Sequence, residues 1–229
     1  MIKTDNYGIV FNKLKSNILD DWQQYTKHTF VKSIGNASLD RKLYIKYLKQ
    51  DYIFLIHFSR AWALLVAKSN SVNEMRIASA TLNALVNEEI QLHIKTCKAE
   101  GISEEQLFNT LEDVNNLAYT RFVLEAGYSG DFLDLLVALS PCVFGYGEIG
   151  LYLKSISKND NPYISWIDTY HSKEYQDVCI NIGSLLDKAT EERLGKGFVN
   201  NTMWPKLEKT FLTATKLEIG FWEMSLRQE

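Results

Sequence analysis

An all-helical, single-domain bundle is the fold class the sequence predicts, and three observations predict it. Apolar residues recur at helical spacing through almost the whole chain of 229 residues. Three prolines and twelve glycines leave little room for linkers or low-complexity segments. A hydrophobic content of 46%, with 12% aromatic, is enough apolar material for one large core. No internal repeat and no strand pair stands out, so residues 1–229 read as one domain.

Residues 7–27 show an amphipathic period that places Ile9, Phe11, Leu14, Ile18 and Trp22 near one stripe. Ser38 and Asp40 are candidate caps for a long helix over about residues 41–69, where Leu43, Tyr44, Tyr47, Leu48, Asp51 and Leu55 recur at helical spacing. Residues 70–73 read as a turn, and the next helix runs to about Glu100, with Gly101 as its stop. Residues 115–126 form a further helix ended by Gly127, and Gly130 and Asp131 open a segment over 132–154. Pro141 has no amide hydrogen and clashes with the preceding turn, so a kink or break is expected just before Cys142. Residues 157–162 are the clearest loop. Helices over 163–170, 174–193 and 203–227 complete the bundle, with Pro205 near a helix start.

The formal net charge is −3 and no basic cluster suited to a phosphate backbone occurs, which argues against nucleic acid as a partner. Residues 1–12 carry early charges and lack the apolar core of a signal peptide. No apolar stretch approaches the roughly 18 residues needed to span a bilayer. Cys97, Cys142 and Cys179 are odd in number with no short pair spacing, so neither a disulfide framework nor a zinc site is indicated. The expectation is a reducing, cytoplasmic compartment and no membrane partner.

Three stripes carry chemistry-bearing residues. Cys142 follows Pro141 inside an apolar run over 139–150, and Tyr146 lies four residues on, on the same helical face. A break at Pro141 would start a new helix at Cys142, whose unsatisfied amides favour a thiolate. Gly145, Gly147 and Gly150 in that stretch imply a close approach, either by another helix or by a flat ligand. Glu218 shares a face with Phe221 and Trp222 at i, i+3 and i+4, and turned inward it suits a general acid. Asp51, Phe54 and Phe58 form the third stripe, while Tyr119 sits mid-helix and Tyr170 closes another helix. Taken singly, the cysteine reads as a small buried hydrophobe and the acids as surface groups. Together they suit a flat heteroaromatic ligand, with rings to stack on and carboxylates for amino and ring-nitrogen groups.

Five segments in order resemble the TenA, or thiaminase II, family: Trp22 with His28-Thr29-Phe30-Val31; Tyr47-Leu48-Lys49-Gln50-Asp51-Tyr52; Leu139-Ser140-Pro141-Cys142 with Tyr146 and Glu148-Ile149-Gly150; Ile167-Asp168-Thr169-Tyr170; and Leu217-Glu218 with Phe221-Trp222. The likeness spans about residues 22–224. It implies an all-α fold of the haem-oxygenase-like type, a homotetramer, no metal and no other cofactor. It further implies hydrolysis of thiamin or of 4-amino-5-aminomethyl-2-methylpyrimidine to the hydroxymethyl pyrimidine. By resemblance, Cys142 is the nucleophile, Glu218 the proton donor and acceptor, and Asp51 the carboxylate that binds the pyrimidine nitrogens. Tyr146, Tyr119, Tyr170 and Phe221 line the substrate. The family commonly carries a tyrosine at the position of Phe54, so a hydroxyl that assists the cysteine is missing here. The proline usual after His28 is also absent.

Two other readings compete. A di-iron oxidase on the same fold would use Glu89 and His93 on one helix, Glu148 on another, and His171 with Glu174 on a third. A non-catalytic pyrimidine-binding protein would keep the pocket without turnover.

Overall fold

The computed structural model describes residues 7–228 and is helical throughout, with no strand among them. Twelve α-helices follow one another: α1 (Ile9–Ser16), α2 (Leu19–Thr26), α3 (Thr29–Gly35), α4 (Arg41–Ala67), α5 (Val72–Ala84), α6 (Ile90–Ala99), α7 (Glu104–Phe108), α8 (Val114–Ser129), α9 (Phe132–Ile156), α10 (Ile164–His171), α11 (Lys173–Leu194) and α12 (Trp204–Leu226). A π-turn at Leu85–Glu89 joins α5 to α6, and a 3-10 turn at Phe198–Asn200 precedes α12. The chain groups into two compact units, residues 1–39 with 136–219, and residues 40–135 with 220–229. Residues 1–6 of the N-terminal segment read above, and residue 229, lie outside the described residues.

In the first unit, the single period expected over 7–27 is divided. Asn17 closes α1: its N–H donates to the Leu14 carbonyl at 3.2 Å and the next N–H, of Ile18, to the Lys15 carbonyl at 3.1 Å, while its side-chain amide donates to Glu208. Phe11, Leu14, Ile18 and Trp22 are buried as their spacing predicts, but Ile9 is 71% exposed and off the stripe. The free amides at the start of α1 are answered from α11: Asp187 accepts from the N–H groups of Ile9 and Val10 at 2.9 and 2.8 Å. The short helix α3, which periodicity alone did not reveal, is capped by His28, whose Nδ1 accepts from the Phe30 N–H at 3.2 Å.

The break expected at Pro141 does not occur. Helix α9 runs through it unbroken, so Cys142 sits mid-helix and not at a helix N-terminus. The proline leaves the Val137 carbonyl without its i+4 donor, and the Ser140 hydroxyl donates to that carbonyl at 2.9 Å. The hydroxyl thereby restores a donor to that carbonyl.

The glycines of α9 meet protein. A methyl group added at Gly150 would lie 2.6 Å from the Tyr170 carbonyl oxygen and 2.7 Å from the His171 nitrogen, and one at Gly145 would strike the Tyr25 ring. A methyl at Gly147 would meet Cys179 Sγ at 2.7 Å. Close helix approach, and not room for a flat ligand, explains all three. Gln176 of α11, wholly buried, donates to the Gly147 carbonyl at 3.1 Å and to the Tyr170 carbonyl at 2.9 Å, while accepting from the Tyr7 hydroxyl. That one amide joins α9, α10, α11 and Tyr7, two residues before α1. By length and composition α9 could cross a bilayer, contrary to the apolar-run reading above, yet 94% of the relevant window is buried inside the protein.

In the second unit, α4 is the central element, with α5, α6, α7 and α8 against it. Asp40 caps α4 by accepting from Lys42 N–H at 2.7 Å, while Ser38 is not the cap. Helix α4 ends at Ala67 and Ser71 caps α5, so the turn expected over 70–73 lies two residues earlier, over 68–71. Gly101, at φ +78, ends α6 by letting the Ile102 and Gly101 N–H groups reach back to the Cys97 and Lys98 carbonyls, at 3.0 Å each. The helix expected to stop at Gly127 continues to Ser129. A methyl group at Gly127 would lie 2.6 Å from a Leu64 methyl, which makes it a packing residue and not a stop. The Gln50 side chain anchors α8 to α4: it donates to the Leu111 carbonyl at 2.9 Å and accepts from Asp113 N–H at 3.0 Å, while Asn116 donates to the Gln50 carbonyl at 2.8 Å.

Replacing Gly150 by alanine forces α10 away from α9 and should cost about 2 kcal/mol, within the usual range for overpacking. The measurement is the urea midpoint, which should fall with the slope unchanged. A midpoint equal to that of the unaltered protein would contradict the close approach.

Candidate active site

The sequence-derived residues divide between the two units, and each group is dense with aromatic rings. In the first unit, α9 carries Cys142 and Tyr146 one turn apart, and α12 carries Glu218. Glu218 is only 2% exposed and Cys142 9%, so the late acid is turned inward, as a general acid requires. Tyr146 packs on two rings of α10, with centroids 4.8 Å from Tyr170 and 5.9 Å from Trp166. Tyr170 is thus gripped twice, by its ring against Tyr146 and by its carbonyl on Gln176. The Tyr175 hydroxyl donates to the Val143 carbonyl at 3.3 Å, beside Cys142 in sequence.

The three cysteines differ in access. Cys179 is completely enclosed and its Sγ donates to the Val143 carbonyl at 3.4 Å, and burial drives its pKa far upward. Cys97 is also enclosed. Burial pushes its thiol up to about 11, against the opposing charge of Lys49. Both are protonated thiols at neutral pH. Cys142 is the only one of the three with measurable exposure.

In the second unit, Asp51 lies 2% exposed at the middle of α4. Its Oδ2 accepts from the Tyr47 hydroxyl at 3.0 Å and from His93 Nε2 at 2.6 Å. The acid is therefore an internal group, not a surface one. Phe54 is the hub of the adjoining rings: its centroid is 5.0 Å from Tyr119, 5.1 Å from Phe58 and 5.5 Å from Phe221. The Tyr47 ring lies 5.6 Å from Trp222 and 6.2 Å, edge-on, from Phe221. A ring of carbon at Phe54 completes this packing and offers no hydrogen-bond donor, in line with the departure noted in the sequence.

His93 is the residue that sequence reasoning misassigned, since it entered only as a ligand of the di-iron alternative. Its signal was legible: it lies four residues before Cys97 and eight after Leu85, all three on a buried stripe. A histidine there needs a polar partner inside the core. Of the other members of the iron set, Glu148 is engaged within the first unit. Glu148 accepts from Lys15 Nζ at 2.5 Å and from Trp22 Nε1 at 2.9 Å. Among the described residues no three His, Cys, Asp or Glu side chains are grouped so as to hold a metal ion.

The family model described as TENA/THI-4/PQQC matches residues 16–228. An aminopyrimidine aminohydrolase from Halalkalibacterium halodurans is 36% identical over 209 residues, covering 90% of this chain and 91% of that protein. Among solved structures, one from a Silicibacter species, titled a TenA family transcription regulator, has a TM-score of 0.96 at 53% identity, over 99% of this chain and 100% of the other. A TenA homologue from P. horikoshii has a TM-score of 0.84 at 26% identity, over 95% and 98% of the two chains.

Brief treatment of the folded protein with iodoacetamide, followed by peptide mass spectrometry, should modify Cys142 well before Cys97 or Cys179. Equal labelling of the three would contradict the burial assigned to them.

Proposed function

The chain belongs to the TENA/THI-4/PQQC family, and on that premise we propose that it is an aminopyrimidine aminohydrolase, or thiaminase II, of thiamin salvage. It releases 4-amino-5-hydroxymethyl-2-methylpyrimidine from 4-amino-5-aminomethyl-2-methylpyrimidine, from thiamin, or from both. The observation that carries this reading is the buried Glu218 in the same unit as the one partly accessible thiol, Cys142. It is supported by a likeness, over most of both chains, to a protein named for that activity.

In this mechanism Cys142 adds to a carbon of the pyrimidine ring, and a ring nitrogen takes a proton from Glu218. Addition ends the ring's aromaticity, and the electron pair expels the amine at the exocyclic methylene, which leaves with a proton. Water adds to that methylene, the carbon–sulfur bond breaks, and the aromatic ring returns with the thiolate released. Glu218 supplies protons and takes them back. Because Cys142 is mid-helix, its proton goes to a side-chain base and its thiolate owes nothing to a helix N-terminus. Asp51 binds the pyrimidine nitrogens, and Tyr146, Tyr170, Tyr119, Phe54 and Phe221 supply ring surface.

The resemblance further supports one catalytic domain over residues 1–229, a homotetramer, a cytoplasmic location, and a reaction that uses the small pyrimidine alone, without metal or cofactor. Neither alternative is favoured by an observation. The iron set is not grouped, and a binding protein has no use for a cysteine and an acid held inside one unit.

Replacing Cys142 by alanine should leave the circular dichroism and melting temperature unchanged and abolish release of the hydroxymethyl pyrimidine from the aminomethyl compound. Replacing Glu218 by glutamine should lower kcat by about 100-fold or more, the usual scale for losing a general acid–base group. Turnover at the native rate in Cys142→Ala would refute the mechanism.

A further inference from the structure

The buried carboxylate of α4 is held at only one of its two oxygens. The Tyr47 hydroxyl donates to Oδ2 of Asp51 at 3.0 Å and His93 Nε2 lies 2.6 Å from the same oxygen, and neither group is bonded to Oδ1. On the far side of the imidazole, Nδ1 lies 2.9 Å from the main-chain carbonyl of Glu89. A carbonyl oxygen only accepts, so Nδ1 carries a hydrogen. Nε2 lies 2.6 Å from a carboxyl oxygen, a separation that also requires a hydrogen between the two atoms. The pair therefore holds one more dissociable proton, on Nε2 or on Oδ2.

Two features put that proton on the histidine. Oδ2 already accepts from the Tyr47 hydroxyl, and an oxygen receiving two hydrogen bonds is best served by negative charge. Burial of His93 opposes the imidazolium, but the hydrogen bond and charge of Asp51, with the charge and backbone carbonyl of Glu89, outweigh it and raise the histidine's pKa. The backbone is shaped for this. The π-turn ends at Glu89, where the Ile90 N–H reaches back five residues to the Leu85 carbonyl, and the Glu89 carbonyl then receives the ring of His93 one turn on. Single π-turns inside α-helices commonly mark functional positions.

We propose that His93 is a positioning residue: as an imidazolium locked by the Glu89 carbonyl, it keeps Asp51 ionised inside the core and reserves Oδ1 as the acceptor for the amino group of an aminopyrimidine. The ligand half of this inference rests on the function proposed above, and the proton half does not. Tyr47 steadies the same oxygen from within α4. Removing the histidine would leave a buried carboxyl without its partner on α6, free to turn toward Tyr47, with a weaker hold on the amino group.

The test has two arms. In full-length protein with nitrogen-15 histidine, His93 at neutral pH should show both ring nitrogens protonated, and Asp51→Asn should convert it to the neutral Nδ1–H tautomer. A neutral His93 in the unaltered protein would overturn the proposal, whether or not the protein turns over pyrimidine. In the second arm, His93→Gln keeps a donor but not the charge. The KM for the aminomethyl pyrimidine and the Kd of the hydroxymethyl product should rise together by about tenfold, with kcat within about threefold. A fall in kcat with KM unchanged, or values equal to the unaltered protein, would overturn it. Loss of fold in His93→Gln leaves the decision to the first arm, and failure of the unaltered protein to hydrolyse the pyrimidine removes the function proposed above while the nitrogen-15 result still decides the proton.

Discussion

A carboxyl group inside a helical core needs hydrogen-bond donors or a cation beside it, and in this chain Asp51 is met by His93 at 2.6 Å. Much of the second unit serves that bond. Helix α4 brings Tyr47 to the same oxygen, and the π-turn bulges the backbone so that the Glu89 carbonyl meets the imidazole. Gln50, the neighbour of Asp51, ties α8 to α4 and with it Tyr119, whose ring lies against Phe54. Breaking one partner of such a pair leaves an uncompensated charge, which is costlier than losing the pair together.

The first unit solves a different problem, how to bring helices close together around α9. Its solution is to remove side chains from α9 where other elements cross. Gly150 admits the backbone at the end of α10, and this draws Tyr170 and Trp166 onto Tyr146. Gln176 then satisfies carbonyls exposed by that approach. Ser140 repairs the one gap that Pro141 opens in the ladder, so that the helix holding Cys142 stays straight in its bonding. In the proposed reaction the consequence is a thiol whose proton must be handled by side chains.

Much of this was legible in the sequence because it depends on local rules. The helical class, the cap at Asp40, the stop at Gly101 and the loop after α9 follow from spacing and from the chemistry of caps. The inward turn of Glu218 did not follow from spacing, since an acid between Leu217 and Ile219 taken alone reads as an outward group. What escaped was tertiary. Pro141 reads as a breaker until Ser140 is seen to replace the lost donor, and Gly127 reads as a stop until Leu64 is found against it. Asn17 leaves its helix because Glu208, far along the chain, takes its amide. His93 was misassigned because its partner lies 42 residues away on another helix, and no periodicity links the two.

The proposed chemistry turns on a sulfur–carbon bond at one residue, and rapid acid quenching during turnover of the aminomethyl pyrimidine measures it most directly. Peptide mass spectrometry should find the pyrimidine attached to Cys142 and to neither other cysteine, with the adduct disappearing as substrate is exhausted. Hydroxymethyl pyrimidine accumulating while Cys142 stays unmodified at every time point, or an adduct carried by Cys97 or Cys179, would contradict the account.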